Sequence, residues 1–159
     1  MTKAVKPIPD GYHSVTPYIS VIGGAAALDF YQRAFGAEVV FKMDMPDGRL
    51  GHAEIQIGSS RIMLADESDM PDAVMKSPRT LGGTSVGLHV YFADVDAQFK
   101  RAVDAGATVK RPLANQFYGD RSATVEDPFG HIWTLATHVE DLSPEEMDRR
   151  AAAEAKANG

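Results

Sequence analysis

Polar and apolar side chains alternate along one short segment of the sequence. The alternating residues are His52, Ala53, Glu54, Ile55, Gln56 and Ile57. Successive side chains of a β-strand point to opposite faces, so the polar trio is predicted to share one face and the apolar trio the other. An imidazole beside a carboxylate is typical of general base catalysis, with His52 as the base or as a substrate hydrogen-bond partner and Glu54 orienting it. The alternative is that the trio forms the solvated face of an edge strand.

A second set of side chains has the chemistry to bind a small molecule. The candidates are Tyr18, Gln56, His89, Tyr91, Phe117, Tyr118 and Arg121. Phe117 and Tyr118 are suited to wall a pocket for a flat ligand, or else to pack beneath a loop. The Arg121 guanidinium matches a carboxylate or phosphonate group, or else it pairs structurally with Asp120.

The elements that must position these residues follow an internal repeat. The tetrapeptide Gly36-Ala37-Glu38-Val39 is similar to the tetrapeptide Gly106-Ala107-Thr108-Val109. Each follows a helical pattern that ends at its glycine. Apolar periodicity predicts helices at 25–35 and 95–105. The apolar stripe of the second helix is predicted to comprise Val95, Phe99, Ala102 and Val103. The predicted strands are 18–21, 38–43, 51–57, 61–65, 86–92, 108–111, 122–126 and 132–137. The order is strand, helix and three strands, twice.

This order predicts an α+β fold built of two βαβββ modules. The predicted divisions are an N-terminal extension at 1–14, a first module at 15–66, a linker at 67–85, a second module at 86–138 and a C-terminal helical tail at 139–159. The linker is rich in Pro, Gly, Ser and Met. Because long structureless segments are uncommon inside domains, it is interpreted as an active-site lid, an arm exchanged with a second subunit or a solvated linker.

Composition excludes several classes of function. The net charge of −6 argues against a nucleic-acid partner, which would need a basic face. The absence of cysteine removes disulfides, thiolate metal sites and a cysteine nucleophile. No apolar run approaches the roughly 18 residues of a membrane span, and the first ten residues do not read as a secretory signal. A cytoplasmic protein without a membrane partner is therefore expected.

Several motifs resemble those of the vicinal-oxygen-chelate superfamily, which includes glyoxalases, bleomycin-resistance proteins and dioxygenases. They are Leu28-Asp29-Phe30-Tyr31 with Phe35-Gly36-Ala37, Asp94-Val95-Asp96-Ala97, and Asp127-Pro128-Phe129-Gly130-His131. The segments Gly51-His52-Ala53-Glu54 and Phe117-Tyr118-Gly119-Asp120-Arg121 resemble a PhnB-like or glyoxalase-like subgroup. The resemblance covers roughly residues 15–138. It implies curved mixed sheets with helices outside, a concave cavity for a small-molecule ligand, and a homodimer.

Metal-using members of this superfamily hold the ion with four His or Glu ligands, one from the first and last strand of each module. The corresponding positions here are Thr16, Met63, Gly87 and Thr134. The internal repeat supports this register, because Thr16 and Gly87 are separated by the same number of residues as Met63 and Thr134. These residues supply no imidazole or carboxylate, which divalent metals prefer. No cofactor is therefore predicted. The alternative is a displaced site for Ni, Zn, Fe or Mn formed by His52, Glu54 and His89.

Two classes of function follow from the resemblance. The favoured hypothesis is a binding protein that lacks the usual metal ligands and sequesters a drug or metabolite, as bleomycin-resistance relatives do. The alternative is a glyoxalase-like lyase or isomerase, or a dioxygenase. Such an enzyme would depend on the displaced metal site, or would be metal-free with His52 or Glu54 as the base.

Overall fold

The computed structural model describes residues 5–157, so residues 1–4 of the predicted extension and 158–159 of the predicted tail lie outside the described residues. The chain divides into two compact units between Gly83 and Thr84. This division falls inside the segment predicted as a linker.

The first unit contains one four-stranded mixed sheet and two helices. Its elements are β1 (Tyr18–Val21), α1 (Gly24–Phe35), β2 (Glu38–Asp44), β3 (Leu50–Ile57), β4 (Ser60–Asp66) and α2 (Pro78–Leu81). The strand order is β1-β4-β3-β2, in which β1 runs parallel to β4 and the other neighbours are antiparallel.

The second unit repeats this arrangement. Its elements are β5 (Gly87–Tyr91), α3 (Val95–Ala105), β6 (Thr108–Asn115), β7 (Asp120–Glu126), β8 (Ile132–His138) and α4 (Pro144–Ala157). The strand order is β5-β8-β7-β6, with β5 parallel to β8. Two βαβββ modules with mixed sheets confirm the predicted fold class.

Each crossover helix is delimited by local chemistry. Helix α1 ends at Gly36 and α3 at Gly106, both with positive φ (68° and 118°), the conformation that glycine adopts without steric cost. The Asp94 side chain accepts the N–H of Ala97 and caps α3. At the start of α1 the cap comes from strand β4, because one Asp66 oxygen accepts the N–H groups of Gly23 and Gly24 at 2.7 and 2.8 Å.

The alternation in β3 separates a buried face from an accessible one, as predicted. Ala53 and Ile55 are fully buried, whereas His52, Glu54 and Gln56 are half-buried. One face prediction in the second unit is wrong. The apolar stripe predicted for α3 included Val103, yet Val103 is 37% exposed and Gln98 is buried in its place, because the helix turns its Val95–Gln98–Ala102 side inward.

A buried carboxylate organises the turn before the last strand. Asp127 Oδ1 accepts the N–H groups of Phe129 and His131, both at 2.9 Å, and Oδ2 accepts Trp133 Nε1–H at 2.8 Å. Asp127 is 1% exposed and Trp133 is fully buried. Three donors on one carboxylate therefore close the turn and orient the single tryptophan of the chain.

The segment 67–85 contains ordered structure of its own. The Glu67 carboxylate accepts the Ser77 N–H and the Thr80 hydroxyl, each at 2.7 Å, and Ser77 caps α2. These bonds lower the pKa of Glu67 to about 2. Among residues 5–157, no helix is long and apolar enough to cross a membrane.

Candidate functional site

The predicted site residues of the first unit lie along one row of its sheet. Strand register places Tyr18 beside Met63, Met63 beside Glu54, and Glu54 beside Phe41. Cross-strand neighbours project from the same side of a sheet, so these four side chains share one face, which we call the open face. His52 lies on it too, since it is two residues from Glu54 on the same strand.

His52 is held between a phenol and a carboxylate. The Tyr18 hydroxyl lies 2.9 Å from His52 Nδ1, and His52 Nε2 lies 3.4 Å from Glu54 Oε1. A neutral imidazole with its proton on Nε2 satisfies both contacts, accepting from Tyr18 and donating to Glu54. Burial raises the pKa of Tyr18. The structure therefore brings together three of the residues that the sequence nominated.

Two residues that the sequence analysis did not nominate complete this cluster. Arg61 Nη1 lies 3.5 Å from Glu54 Oε2, and its guanidinium carbon lies 4.6 Å from the centroid of the Tyr12 ring. The guanidinium packs so closely on Gly11 that a Cβ there would lie 2.5 Å from Nη2. The register could have indicated Arg61, because it faces Gln56 across the β3–β4 pair. Tyr12 lies in the predicted extension, where no periodicity indicated a contact.

A cavity of about 530 Å³ lies over this part of the open face. It is lined by residues 7–9 and 12–14 of the extension, together with Thr16, Glu54 and Met63. The Tyr12 hydroxyl and Arg61 Nε are buried, and neither forms a hydrogen bond of ordinary geometry among residues 5–157. Burial raises the pKa of Tyr12, and the neighbouring Glu54 raises it further.

Four residues were predicted, from the sequence resemblance, to occupy the positions of the metal ligands in metal-using relatives. Thr16 and Met63 line the cavity of the first unit, and Gly87 and Thr134 belong to β5 and β8 of the second. Thr16 and Thr134 each supply a hydroxyl group and Met63 supplies a thioether, whereas Gly87 has no side chain. This donor set differs from the imidazole and carboxylate ligands of Zn, Ni, Fe or Mn sites. Thr134 instead lies 3.4 Å from the Thr124 hydroxyl.

The residues of the alternative metal site are distributed over both units. His52 and Glu54 belong to the first unit and His89 to the second, where its ring lies 4.9 Å from that of Tyr91. Within the described range, no three His, Asp or Glu side chains form a group that could hold a metal ion. The displaced site stays a prediction.

In the second unit a buried carboxylate joins two of the aromatic side chains near β8. The Tyr91 hydroxyl donates to Asp120 Oδ2 at 2.8 Å, and His138 Nδ1 lies 2.8 Å from Asp120 Oδ1. His138 Nε2 lies 2.9 Å from Asp141. Asp120 and Asp141 raise the pKa of His138. The sequence indicated Asp120 only as a partner for Arg121, and no sequence pattern indicated this chain of hydrogen bonds.

Arg121 is engaged by an acidic residue of the neighbouring helix. Its Nε and Nη2 donate to the two carboxylate oxygens of Asp96, and Nη1 donates to Asn115. The structural partner of Arg121 is therefore Asp96, not the adjacent Asp120. Successive residues of a strand point to opposite faces, which separates Asp120 from Arg121.

The aromatic pair next to Arg121 occupies a tight turn between β6 and β7. The rings of Phe117 and Tyr118 are perpendicular, with centroids 5.3 Å apart, and both residues are half-buried. Gly119 has a φ of 96°, and a Cβ there would lie 2.3 Å from the carbonyl oxygen of Glu140. Gln56, the remaining candidate, donates to the Gly58 carbonyl oxygen of its own turn.

The sequence matches the model of a known protein superfamily. Residues 13–135 match the model of the Glyoxalase/Bleomycin resistance protein/Dioxygenase superfamily. The chain belongs to this superfamily. An uncharacterised protein of Mycobacterium bovis is 40% identical over 147 residues, which cover 92% of this chain and 95% of that protein.

Two solved structures share the fold. The PhnB protein of Bacillus cereus superposes with a TM-score of 0.59 at 17% identity, covering 79% of this chain and 99% of that one. The fosfomycin resistance protein FosX of Mesorhizobium loti superposes with a TM-score of 0.56 at 15% identity, covering 79% and 91%. PhnB-like proteins are thus among its structural neighbours, as the motifs indicated.

Proposed function

We propose that this superfamily member binds a small molecule in the cavity of its first unit, without a metal ion at the four usual positions. Sequestration of a drug or metabolite is the function that this arrangement supports best. One observation carries the proposal: the cavity lies directly over Thr16 and Met63, where metal-using relatives would place ligands. The chain has a cavity at this place, but Thr16 and Met63 supply neither an imidazole nor a carboxylate.

The size and lining of the cavity suit a small organic molecule. Small-molecule sites enclose about 300–1,000 Å³ and combine an apolar lining with a few polar groups, and this cavity encloses about 530 Å³. Met63 and residues 7–9 supply apolar surface. The polar groups come from Tyr12, His13, Ser14, Thr16 and Glu54. The relationship in fold to a fosfomycin resistance protein is consistent with binding of a drug-like compound.

The state of His52 favours binding over catalysis. Both ring nitrogens have partners, Tyr18 on Nδ1 and Glu54 on Nε2. A general base needs a free lone pair directed at the substrate. His52 would have to give up the Tyr18 contact before it could accept a proton.

A second candidate function rests on the same three side chains. The Nε2–Glu54 contact is long, at 3.4 Å, and a substrate that displaced the Tyr18 hydroxyl would meet an imidazole backed by a carboxylate. This is metal-free proton transfer, with His52 as the base and Glu54 as the group that supports its positive charge. A metal-dependent reaction at a displaced site is the remaining alternative.

The test is a ligand screen read out on the methyl group of Met63, which lines the cavity. Protein labelled at its methionine methyl groups would be titrated with metabolites and antibiotics while NMR spectra are recorded, with Met63→Leu to assign the signal. Met147 in α4 serves as an internal control. We expect saturable shifts of Met63 with Met147 unchanged, and elemental analysis giving less than about a tenth of an equivalent of bound metal. Stoichiometric Ni, Zn, Fe or Mn, or bound ligands that leave Met63 unmoved, would contradict the proposal.

Turnover distinguishes the two candidates. If metal-free protein converts a bound compound and His52→Gln abolishes conversion while preserving the Met63 shift, the second candidate replaces the first. We also propose that the protein is a homodimer, as the family resemblance implies, which sedimentation at several concentrations tests. The cytoplasmic location stays a prediction.

A further inference from the structure

We propose that the cavity of the first unit selects ligands that carry a cationic, hydrogen-bond-donating nitrogen group, such as an amidinium or primary ammonium, on an apolar body. Glu54 is the acceptor for that group. This inference rests on the proposed binding function and names its ligand class. It replaces the sequence-based expectation of an anionic ligand held by Arg121, a side chain that is engaged by Asp96.

Glu54 has acceptor capacity that the protein does not use. Its contacts to His52 at 3.4 Å and to Arg61 at 3.5 Å are long, whereas charge-assisted hydrogen bonds to carboxylates span about 2.7–2.9 Å. Its further neighbour, the Tyr12 hydroxyl, is uncharged. A carboxylate offers roughly four lone-pair sites. A donor that enters the cavity can therefore form a shorter bond to Glu54 than His52 or Arg61 does.

The cation nearest to Glu54 is held behind the cavity wall. The Arg61 guanidinium lies against the Tyr12 ring and against Gly11, and its Nε is buried. Arg61 is not among the residues that line the cavity, whereas Glu54 is, and no other carboxylate among the described residues lines it. An anionic ligand would meet Glu54 directly and be repelled, while Arg61 would offset part of that repulsion from a greater distance.

The remainder of the lining defines the body of the ligand. Pro7, Ile8, Pro9 and Met63 present apolar surface around the carboxylate. Apolar walls around a few polar groups bind the body of a ligand by excluding water from it, and the polar groups orient it. A flat ring with one nitrogen-bearing head group satisfies both requirements.

Three probes that share one ring test the charge preference: benzamidine, benzamide and benzoate. Each would be titrated against the wild-type protein with the Met63 methyl signal as the readout. We expect benzamidine to bind about tenfold more tightly than benzoate, with benzamide between them. The difference should shrink as salt is added, because an ion pair at a half-exposed site is screened.

Two matched substitutions assign the preference to Glu54. Glu54→Gln should reduce the ratio of the benzamidine affinity to the benzoate affinity to about threefold or less. The affinity for uncharged benzamide should stay within about threefold of its wild-type value. Glu38→Gln makes the same chemical change at an exposed position of β2 outside the cavity and should leave the ratio unchanged. If Glu54→Gln does not fold, the ratio of benzamidine to benzoate affinity in the wild-type protein still tests the preference for a cation.

The possible failures are distinguishable. Benzoate binding as tightly as benzamidine, or a Glu54→Gln variant that keeps the wild-type ratio, overturns the ligand class but leaves the cavity as a binding site. If no probe shifts Met63 even at millimolar concentration while other compounds do, the ligand class also fails. If nothing shifts Met63 in the wider screen either, the binding function fails with it.

Discussion

Arg121 and Asp96 form a bidentate ion pair that joins strand β7 to the first turn of helix α3. Arg121 Nε and Nη2 donate to the two carboxylate oxygens at 2.7 and 2.8 Å. The pair lowers the pKa of Asp96. Fork-to-fork geometry of this kind is specific to arginine, because lysine offers one nitrogen.

The first prediction is that Arg121 acts on stability through Asp96. Arg121→Ala and Asp96→Ala should each lower the melting temperature slightly, since both side chains are partly exposed. The double variant should lose less than the sum of the two single losses, because either single change already breaks the pair. Thermal denaturation of all four proteins measures this coupling. Strictly additive losses would show that the pair contributes nothing.

The second prediction concerns Asp127, whose carboxylate binds three donors while 1% exposed. Asp127→Ala removes the carboxylate that accepts two backbone N–H groups and the Trp133 indole N–H. We expect the free energy of unfolding to fall by about 3–5 kcal/mol, measured by urea denaturation. Asp72→Ala, at an exposed position, is the control and should change it by less than about 0.5 kcal/mol. A comparable loss in both variants would contradict the assigned role of Asp127.

A third prediction contrasts two tyrosines. The Tyr12 hydroxyl is buried and forms no hydrogen bond of ordinary geometry among the described residues, whereas the Tyr91 hydroxyl donates to Asp120. Tyr12→Phe removes an unsatisfied polar atom and should leave stability unchanged or raise it by up to about 1 kcal/mol. Tyr91→Phe removes a hydrogen bond to a carboxylate and should lower the melting temperature. If Tyr12→Phe proves the more destabilising of the two, its hydroxyl has a partner after all.

The fourth prediction is a pH dependence that originates in His138. Asp120 and Asp141 raise the pKa of His138 above 6.5 in the folded protein. Its stabilising contribution is therefore fully present below pH 6.5 and is lost as the pH rises through the raised pKa. The melting-temperature difference between the wild-type protein and His138→Gln should be larger near pH 5.5 than near about pH 9. A difference independent of pH would exclude the imidazolium as its cause.

Part of this molecule could be predicted from its sequence because the relevant information is local. The period of apolar residues located both crossover helices and all eight strands, and β1 and α3 have the predicted bounds. Alternation in β3 separated Ala53 and Ile55 from His52 and Glu54. The ends of β6 and β7 were missed because residues 112–115 and 120–121 carry no alternating signal. They extend as strands through pairing across the hairpin, as between Asn115 and Arg121.

The partners of the functional side chains depended on the tertiary structure. The sequence nominated Tyr18, His52 and Glu54, and the sheet register brought them into contact. It could not indicate that Tyr12 joins them, or that Asp96 engages Arg121 and Asp120 engages His138. Side-chain type and strand period depend on residues that are neighbours in the chain, so both can be determined from the sequence before the fold is known. Whether a charged group meets a ligand or another residue of the protein depends on segments that only packing brings together, and that distinction separates Glu54 from Arg121.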